Sequence, residues 1–189
     1  MSRNYFFTSD RHFFHEKLLK KLCPSTRYGE NAEEMNELMI EAHNRIVKPN
    51  DIVFDLGDVS YGSAHKTAKI LKRLNGIHFL IFGNHDRFKG DRVHPLVAEC
   101  YDSVQSELLI KLNGQDIYMH HFPHRQWERM HYDVWHLYGH VHGSLVDVPW
   151  GKSMDVGIDA RNPADMAPWS FDEVKAYMDT QEVLKHHGD

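Results

Sequence analysis

Cysteine is scarce in this 189-residue chain: Cys23 and Cys100 stand far apart and form no CxxC pair. That excludes a disulfide scaffold and a thiolate zinc site, and the expectation is two reduced, structural thiols. No window approaches the roughly 18 uncharged apolar residues of a membrane span. The opening Met1 to Phe7 lacks the apolar core of a secretory leader, so a cytoplasmic chain with no membrane partner is expected. A basic excess is missing as well: 22 Lys and Arg against 27 Asp and Glu give −5 at pH 7. This argues against a broad nucleic-acid-wrapping face but leaves room for a local basic patch. With no repeat, low-complexity tract or Pro/Gly linker, and with 41% hydrophobic and 26% charged residues, one domain over residues 1–189 is expected.

What the chain has in excess is histidine, 16 in all. Their positions matter because of the pattern around them. Asn4 to Thr8, Asp51 to Asp55 and Ile77 to Phe82 read as short apolar strands. Between the first two, Asn31 and Glu34 offer a cap and capping-box partner, and Met35, Leu38, Met39, Ala42 and Ile46 recur at helical spacing. A second helix follows Ser63, with Ala64, Ala68, Leu71 and Leu74 on one face and Asn75-Gly76 ending it. Past residue 100, Leu108 to Leu112, a turn at Asn113-Gly114 and Asp116 to Met119 read as a hairpin. Val134 to Tyr138 and Met154 to Ile158 follow as strands, and Phe171 to Met178 as a helix capped by Ser170 with Glu173. Strands alternating with helices predict an α/β layered core, with mixed pairing in the second half.

Each predicted strand runs into a short polar cluster: Asp10-Arg11-His12, Gly57-Asp58, Gly83-Asn84-His85-Asp86, His120-His121-Phe122-Pro123 and Gly139-His140-Val141-His142-Gly143. Ligands of open α/β sheets bind outside the strand C-ends, so these residues should converge. Carboxylate and amide oxygens with imidazoles, and no thiolate, suit Mn, Fe, Zn or Co. Seven ligands exceed one tetrahedral site and suit two ions sharing a carboxylate. Two ions about 3.5–4 Å apart can activate a bridging water and clamp a phosphoryl group, so phosphoester hydrolysis is the implied reaction.

The order D-x-H, G-D, G-N-H-D, H-x-P and G-H-x-H over residues 10 to 142 resembles the calcineurin-like metallophosphoesterase family. Phe7 to His15, His121-Phe122-Pro123 and Asp155 to Asp159 are similar to its small bacterial and phage members. The resemblance implies a layered α/β/β/α sandwich with mixed sheets. It also implies two divalent ions, manganese first, with iron, zinc, nickel or cobalt as alternatives. Asp10, His12 and His142 would hold one ion, Asn84, His121 and His140 the other, and Asp58 would bridge. A metal-bridging hydroxide would attack phosphorus, His85 would protonate the leaving oxygen, and Asp86 would orient His85. His121 is preferred over its neighbour His120 because it falls on the H-x-P histidine. Arg11, His15 and Arg125 are candidate substrate contacts, Arg11 with solvent as its other destination. The substrate expected is a small phosphodiester or nucleotide rather than a phosphoprotein, with extended nucleic acid left open. The rival readings are a non-catalytic metal-binding interaction module and a nuclease on the same fold. Trp135, Tyr138, Trp150 and Trp169 read as core and rim packing.

Overall fold

The computed structural model describes residues 3–145, 150–161 and 165–185. Two mixed sheets face each other across a shared apolar layer. The first has the order β4-β3-β2-β1-β9, built from β1 (Tyr5–Thr8), β2 (Ile52–Asp55), β3 (Ile77–Ile81), β4 (Ser103–Gln105) and β9 (Trp169–Ser170). Its first four strands run parallel, and β9 pairs antiparallel to β1, with Trp169 opposite Phe7. The second sheet has the order β5-β6-β7-β8, from β5 (Glu107–Leu112), β6 (Gln115–His120), β7 (Trp135–Tyr138) and β8 (Ser153–Asp155). Here β5 and β6 form the expected hairpin, turning through Asn113 and Gly114 at φ 49° and 88°, the left-handed pair that a tight hairpin turn requires. Strands β6, β7 and β8 are parallel.

Strand alternation assigns the layers. Phe7, Phe54 and Ile81 point from the first sheet at Ile117, Met119, Trp135, Leu137 and Met154 of the second, all buried. Helix α4 (Phe171–Met178) closes one edge of this layer with Phe171, Val174 and Met178. Its start is fixed by Ser170 and Glu173, which exchange both bonds of a capping box. The opposite face of the first sheet is covered by α1 (Ala32–Ile46), α2 (Ala64–Leu71) and the short α3 (Pro95–Ala98), whose Met35, Met39, Ile70, Leu71 and Val97 pack with Leu80. Asn31 caps α1 by accepting the Glu34 N–H at 2.9 Å.

The outer face of the second sheet is covered, among the described residues, by a loop and a 3-10 turn at Met130–Tyr132. Trp127 and Met130 pack there on Tyr118 and Val134, so the fourth layer of the sandwich is thin. Most expected strands are trimmed by one residue at an end, and two elements stop three residues early. The second helix stops at Leu71. The strand expected to reach Ile158 ends at Asp155, whose Oδ1 accepts the Gly157 N–H at 2.7 Å and turns the chain.

Candidate metal centre

Loops leaving β1, β2 and β3 of one sheet and β6, β7 and β8 of the other meet at the strand C-ends. The β1 and β2 loops are zipped together: Asp10 N–H donates to Gly57 O at 2.9 Å, His12 N–H to Asp58 O at 3.0 Å and Phe13 N–H to Val59 O at 3.0 Å. The β3 loop is tied to them by Asp86, whose Oδ2 accepts from Asp58 N–H (2.7 Å) and Gly83 N–H (2.8 Å) and whose Oδ1 accepts from Val59 N–H (2.9 Å). The expected role of Asp86 as orienter of His85 is therefore corrected: its carboxylate clamps the backbone of two loops. Packing is tight enough that a Cβ at Gly83 would collide with the Asp58 carboxylate and one at Gly139 with Ser9 and the Asp10 carboxylate. Asp10, His12, Asp58, His140 and His142 all adopt positive φ, between 46° and 70°, a region L-residues rarely enter and Asp and His tolerate best.

The first cluster is Asp10, His12 and His142, whose ligand atoms lie within 4.8 Å of one another. Asp10 Oδ1 is 3.8 Å from His12 Nε2 and 3.9 Å from His142 Nε2. These gaps are too long for hydrogen bonds and suit atoms sharing an ion at about 2.0–2.2 Å. Asp10 Oδ1 is buried and meets no donor. Burial pushes the Asp10 carboxyl up to about 7, against the pull of His142 and His121, and takes His12 down to about 3 despite Asp58. Behind this cluster stands a brace. His142 Nδ1–H donates to Asp159 Oδ2 at 2.7 Å, which leaves Nε2 as the ligating atom. Arg27, fully buried, bonds both Asp159 oxygens at 2.7 and 2.6 Å and the carbonyls of Arg11 and Asp10 at 2.7 and 2.6 Å. Cys23 lies on this Asp159 side of His142.

The second cluster is Asp58, His121 and His140. Leu56 O can only accept, and it sits 2.7 Å from His121 Nδ1, so that nitrogen carries a proton. His121 Nε2 then faces Asn84 Oδ1 at 3.2 Å and Asp58 Oδ1 at 3.5 Å. Acceptors converging in this way call for a positive charge among them, a cation or a second proton on His121, whose pKa burial would lower but Asp58 raises. Burial alone would raise the Asp58 carboxyl, but His121 beside it holds it at about 2. The other Asp58 oxygen lies 3.7 Å from His12 Nε2, so one carboxylate reaches both clusters. His140 donates its backbone N–H to Asp10 Oδ2 at 2.8 Å and leaves its ring exposed. His120 turns the other way: its Nδ1 accepts the Phe122 N–H at 3.0 Å, and its ring stacks on His124 with centroids 4.2 Å apart.

His85 stands at the rim, its Nε2 3.9 Å from Asp58 Oδ2, and its backbone N–H bonds Asp58 Oδ1 at 2.8 Å. Its ring partner is Tyr61, whose hydroxyl is 3.0 Å from Nε2 and 3.1 Å from Nδ1. Tyr61 also stacks on His15 at 3.8 Å, which brings His15 to the site beside His12. Arg11 is corrected: it is buried against Asp55, which also accepts from Tyr101 Oη at 2.9 Å, so it reaches neither substrate nor solvent. Arg125 is also placed elsewhere. It stacks on Trp150 at 4.7 Å and lines a cavity with Tyr138 and Leu145 that includes none of the ligand residues. Tyr61, Arg27 and Asp159 escaped the sequence reading. For Asp159 a signal was present, since it closes the Asp155-Val156-Gly157-Ile158-Asp159 stretch already singled out.

Fold and site together define an α/β sandwich whose two sheets present paired histidine–aspartate clusters able to hold metal. The chain belongs to the same family as "Uncharacterized protein MJ1445" of Methanocaldococcus jannaschii, to which it is 30% identical over 97% of this chain and 96% of that one. It is also 27% identical to "Gene 66 protein" of Mycobacterium phage L5, over 83% of this chain and 87% of that one. A crystal structure of a protein of unknown function, AQ665 from Aquifex aeolicus, shares the fold with a TM-score of 0.72 and 22% identity, covering 93% of this chain and all of that one. A structurally characterised archaeal phosphodiesterase overlays with a TM-score of 0.48 and 17% identity, over 82% and 83% of the two chains, too loosely to carry an assignment. No family model matches. No helix of the described residues is long and apolar enough to cross a membrane.

Proposed function

We propose that the chain is a dinuclear metal-dependent phosphoester hydrolase of the calcineurin-like kind, a cytoplasmic phosphodiesterase acting on a small nucleotide or related diester. The observation that carries this reading is Asp58, one buried carboxylate placed between two ligand clusters, 3.5 Å from His121 and 3.7 Å from His12. Asp10, His12 and His142 would hold one ion and Asn84, His121 and His140 the other, with manganese the first candidate and iron, zinc, nickel or cobalt the alternatives. When bound, such a pair supplies an activated water and positive charge for the phosphoryl oxygens. His85, exposed at the rim 3.9 Å from the Asp58 carboxylate, would give a proton to the departing oxygen. An alkoxide leaves poorly without one, and a positioned acid contributes about 10²–10⁴ in rate. Tyr61 holds the His85 ring, and His15, stacked on Tyr61, forms the wall toward the substrate.

The test is hydrolysis of bis-nitrophenyl phosphate and nitrophenyl phosphate by metal-stripped protein resupplied with single metals, together with metal content. Metal-dependent turnover with the diester preferred is the expected result. Two bound ions without turnover would favour the interaction-module reading. His85→Ala should keep both ions and lose more rate on alkyl esters than on nitrophenyl esters, whose leaving groups need no proton. Equal losses would remove the acid role.

A further inference from the structure

His85 and Asp86 also form one wall of an open-sided cavity of about 350 Å³ lined by the loop after β2, by α2 and α3 and by Arg87, Phe88 and Val93. This is near the small end of the roughly 300–1,000 Å³ of small-molecule sites. None of the seven ligand residues lines it, so it is a compartment next to the metal clusters with His85 between them. Residues 87–93 fold back on themselves as a narrow ribbon, with Phe88 N–H donating to Arg92 O at 2.8 Å and Arg87 paired with Val93.

The chemistry of the remaining wall is one-sided. His65, Arg87 and His94 line the cavity along with His85, and the single lining carboxylate, Asp86, has both oxygens occupied by backbone N–H groups. Arg87 pairs with Asp91 at 3.0 Å, but both side chains are exposed, and such a pair contributes little, so the guanidinium is free to take a better-held anion. Phe88 is exposed, its ring 4.6 Å from that of His94 and capped by the Lys89 ammonium at 5.5 Å. One guanidinium, three imidazoles and an aromatic face thus share a wall whose only carboxylate is already occupied.

We infer that this cavity is the leaving-group subsite and that the substrate is a phosphodiester whose departing half is a nucleoside bearing a second phosphate. The inference rests on the hydrolase reading. If His85 protonates the departing oxygen, that oxygen lies against His85, and whatever is attached to it extends into the compartment beyond. Water oxygen joins phosphorus, the bond from phosphorus to the nucleoside oxygen breaks, and that oxygen takes the proton from His85. The products are a phosphomonoester and a nucleoside phosphate. Arg87 and the histidines select the second phosphate and Phe88 the base, in a cavity with room for about one nucleotide.

Two measurements test this and fail separately. Adenosine monophosphate, standing for the departing product, is titrated into metal-free protein by calorimetry. Saturable binding is expected, weakened about tenfold or more by Arg87→Ala and by Phe88→Ala, with adenosine or inorganic phosphate alone binding at least about tenfold more weakly. Phosphate binding as tightly as the nucleotide, or both variants binding like the parent, overturns the subsite. In the metal-loaded enzyme, kcat/KM is compared for diadenosine dinucleotides with and without a terminal phosphate. A preference of about tenfold or more for the phosphorylated form is expected, shrinking in Arg87→Ala. Turnover of bis-nitrophenyl phosphate with no such preference overturns the subsite and leaves the reaction standing. Absence of turnover on every ester overturns the hydrolase reading, and with it the leaving-group role.

Discussion

The two ligand clusters share Asp58 but are held in opposite ways. Asp10, His12 and His142 lie against Arg27 and Asp159, a buried ion pair that grips the backbone of Asp10 and Arg11 and the ring of His142. Asp58, His121 and His140 have no such buried brace and end in an exposed imidazole, while Tyr61 and His85 stand at the mouth between His12 and Asp58. One half of the candidate centre is braced from behind and the other ends at the surface. Preorganisation from behind and access from in front are thus divided between the two clusters rather than compromised in each.

Removing the shared residue should have the largest effect. Asp58→Ala is expected to bring metal content from two ions to below one and to cut hydrolysis by more than about 100-fold, beyond the 10–100-fold typical of outer-sphere changes. Two ions retained would break the link between the clusters. Asp159→Asn should separate them: affinity for one ion falls about 10–100-fold, while stability falls by about 3–5 kcal/mol because Arg27 is left buried and unpaired. Arg27→Met combined with Asp159→Asn should recover stability in urea without recovering that affinity. Equal weakening of both ions would erase the distinction drawn here.

Acid should act through the core as well as through His12 of the first cluster, which burial holds equally low. Burial holds His43 and His136 at about 3, against an ordinary 6.5. The unfolded chain therefore takes up their protons before the folded chain does, and folded stability falls as pH drops from about 6.5 toward 3. The slope is about 1.4 kcal/mol per pH unit for each histidine, and it should persist in Asp58→Ala; a flat profile there would place the acid sensitivity in the metal centre. Smaller again, Tyr61→Phe keeps the stack on His15 and both ions but loses the hydroxyl on His85, with a fall of about 3- to 10-fold in kcat on alkyl esters. Smallest of all, His120→Ala should change neither ion, whereas His121→Ala should deplete one. The reverse pattern would exchange their assignments.

The strand-to-loop rhythm of the chain carried most of the fold, because short apolar runs that each break into a compact polar cluster, three of the five with glycine, read as strands ending at a site. It missed β4, β9 and α3, which are two to four residues long and are fixed by neighbours such as Phe7 opposite Trp169 rather than by any periodicity of their own. The seven candidate ligands could be named from the sequence because ligation would need particular side chains at particular strand ends, and the structure brings them together there. Their supports could not be named. Arg27 follows a segment with no strand or helix pattern and reaches Asp159 across 132 positions. Asp86 looked like a partner of its neighbour His85, yet the carboxylate reaches the β2 loop across 27 and 28 positions. Arg11 sits between two ligands and points to the opposite side from both, as alternation along a strand would have it, but that side is a buried pocket closed by Asp55 rather than solvent.

Those left-handed residues have a further consequence for how the sequence can change. Five of the seven candidate ligands sit at positive φ, each conformation costing on the order of 1 kcal/mol and surviving only while the surrounding sheets over-determine it. A core substitution that leaves the sandwich folded but slackens the packing of β1 on β2 would let these loops relax to ordinary backbone geometry. Metal affinity would then decay before unfolding is detectable. Mutational tolerance in this lineage is therefore set by the loops' need for a stiff foundation, and a library of core variants sorted by metal retention would be depleted well before one sorted by solubility.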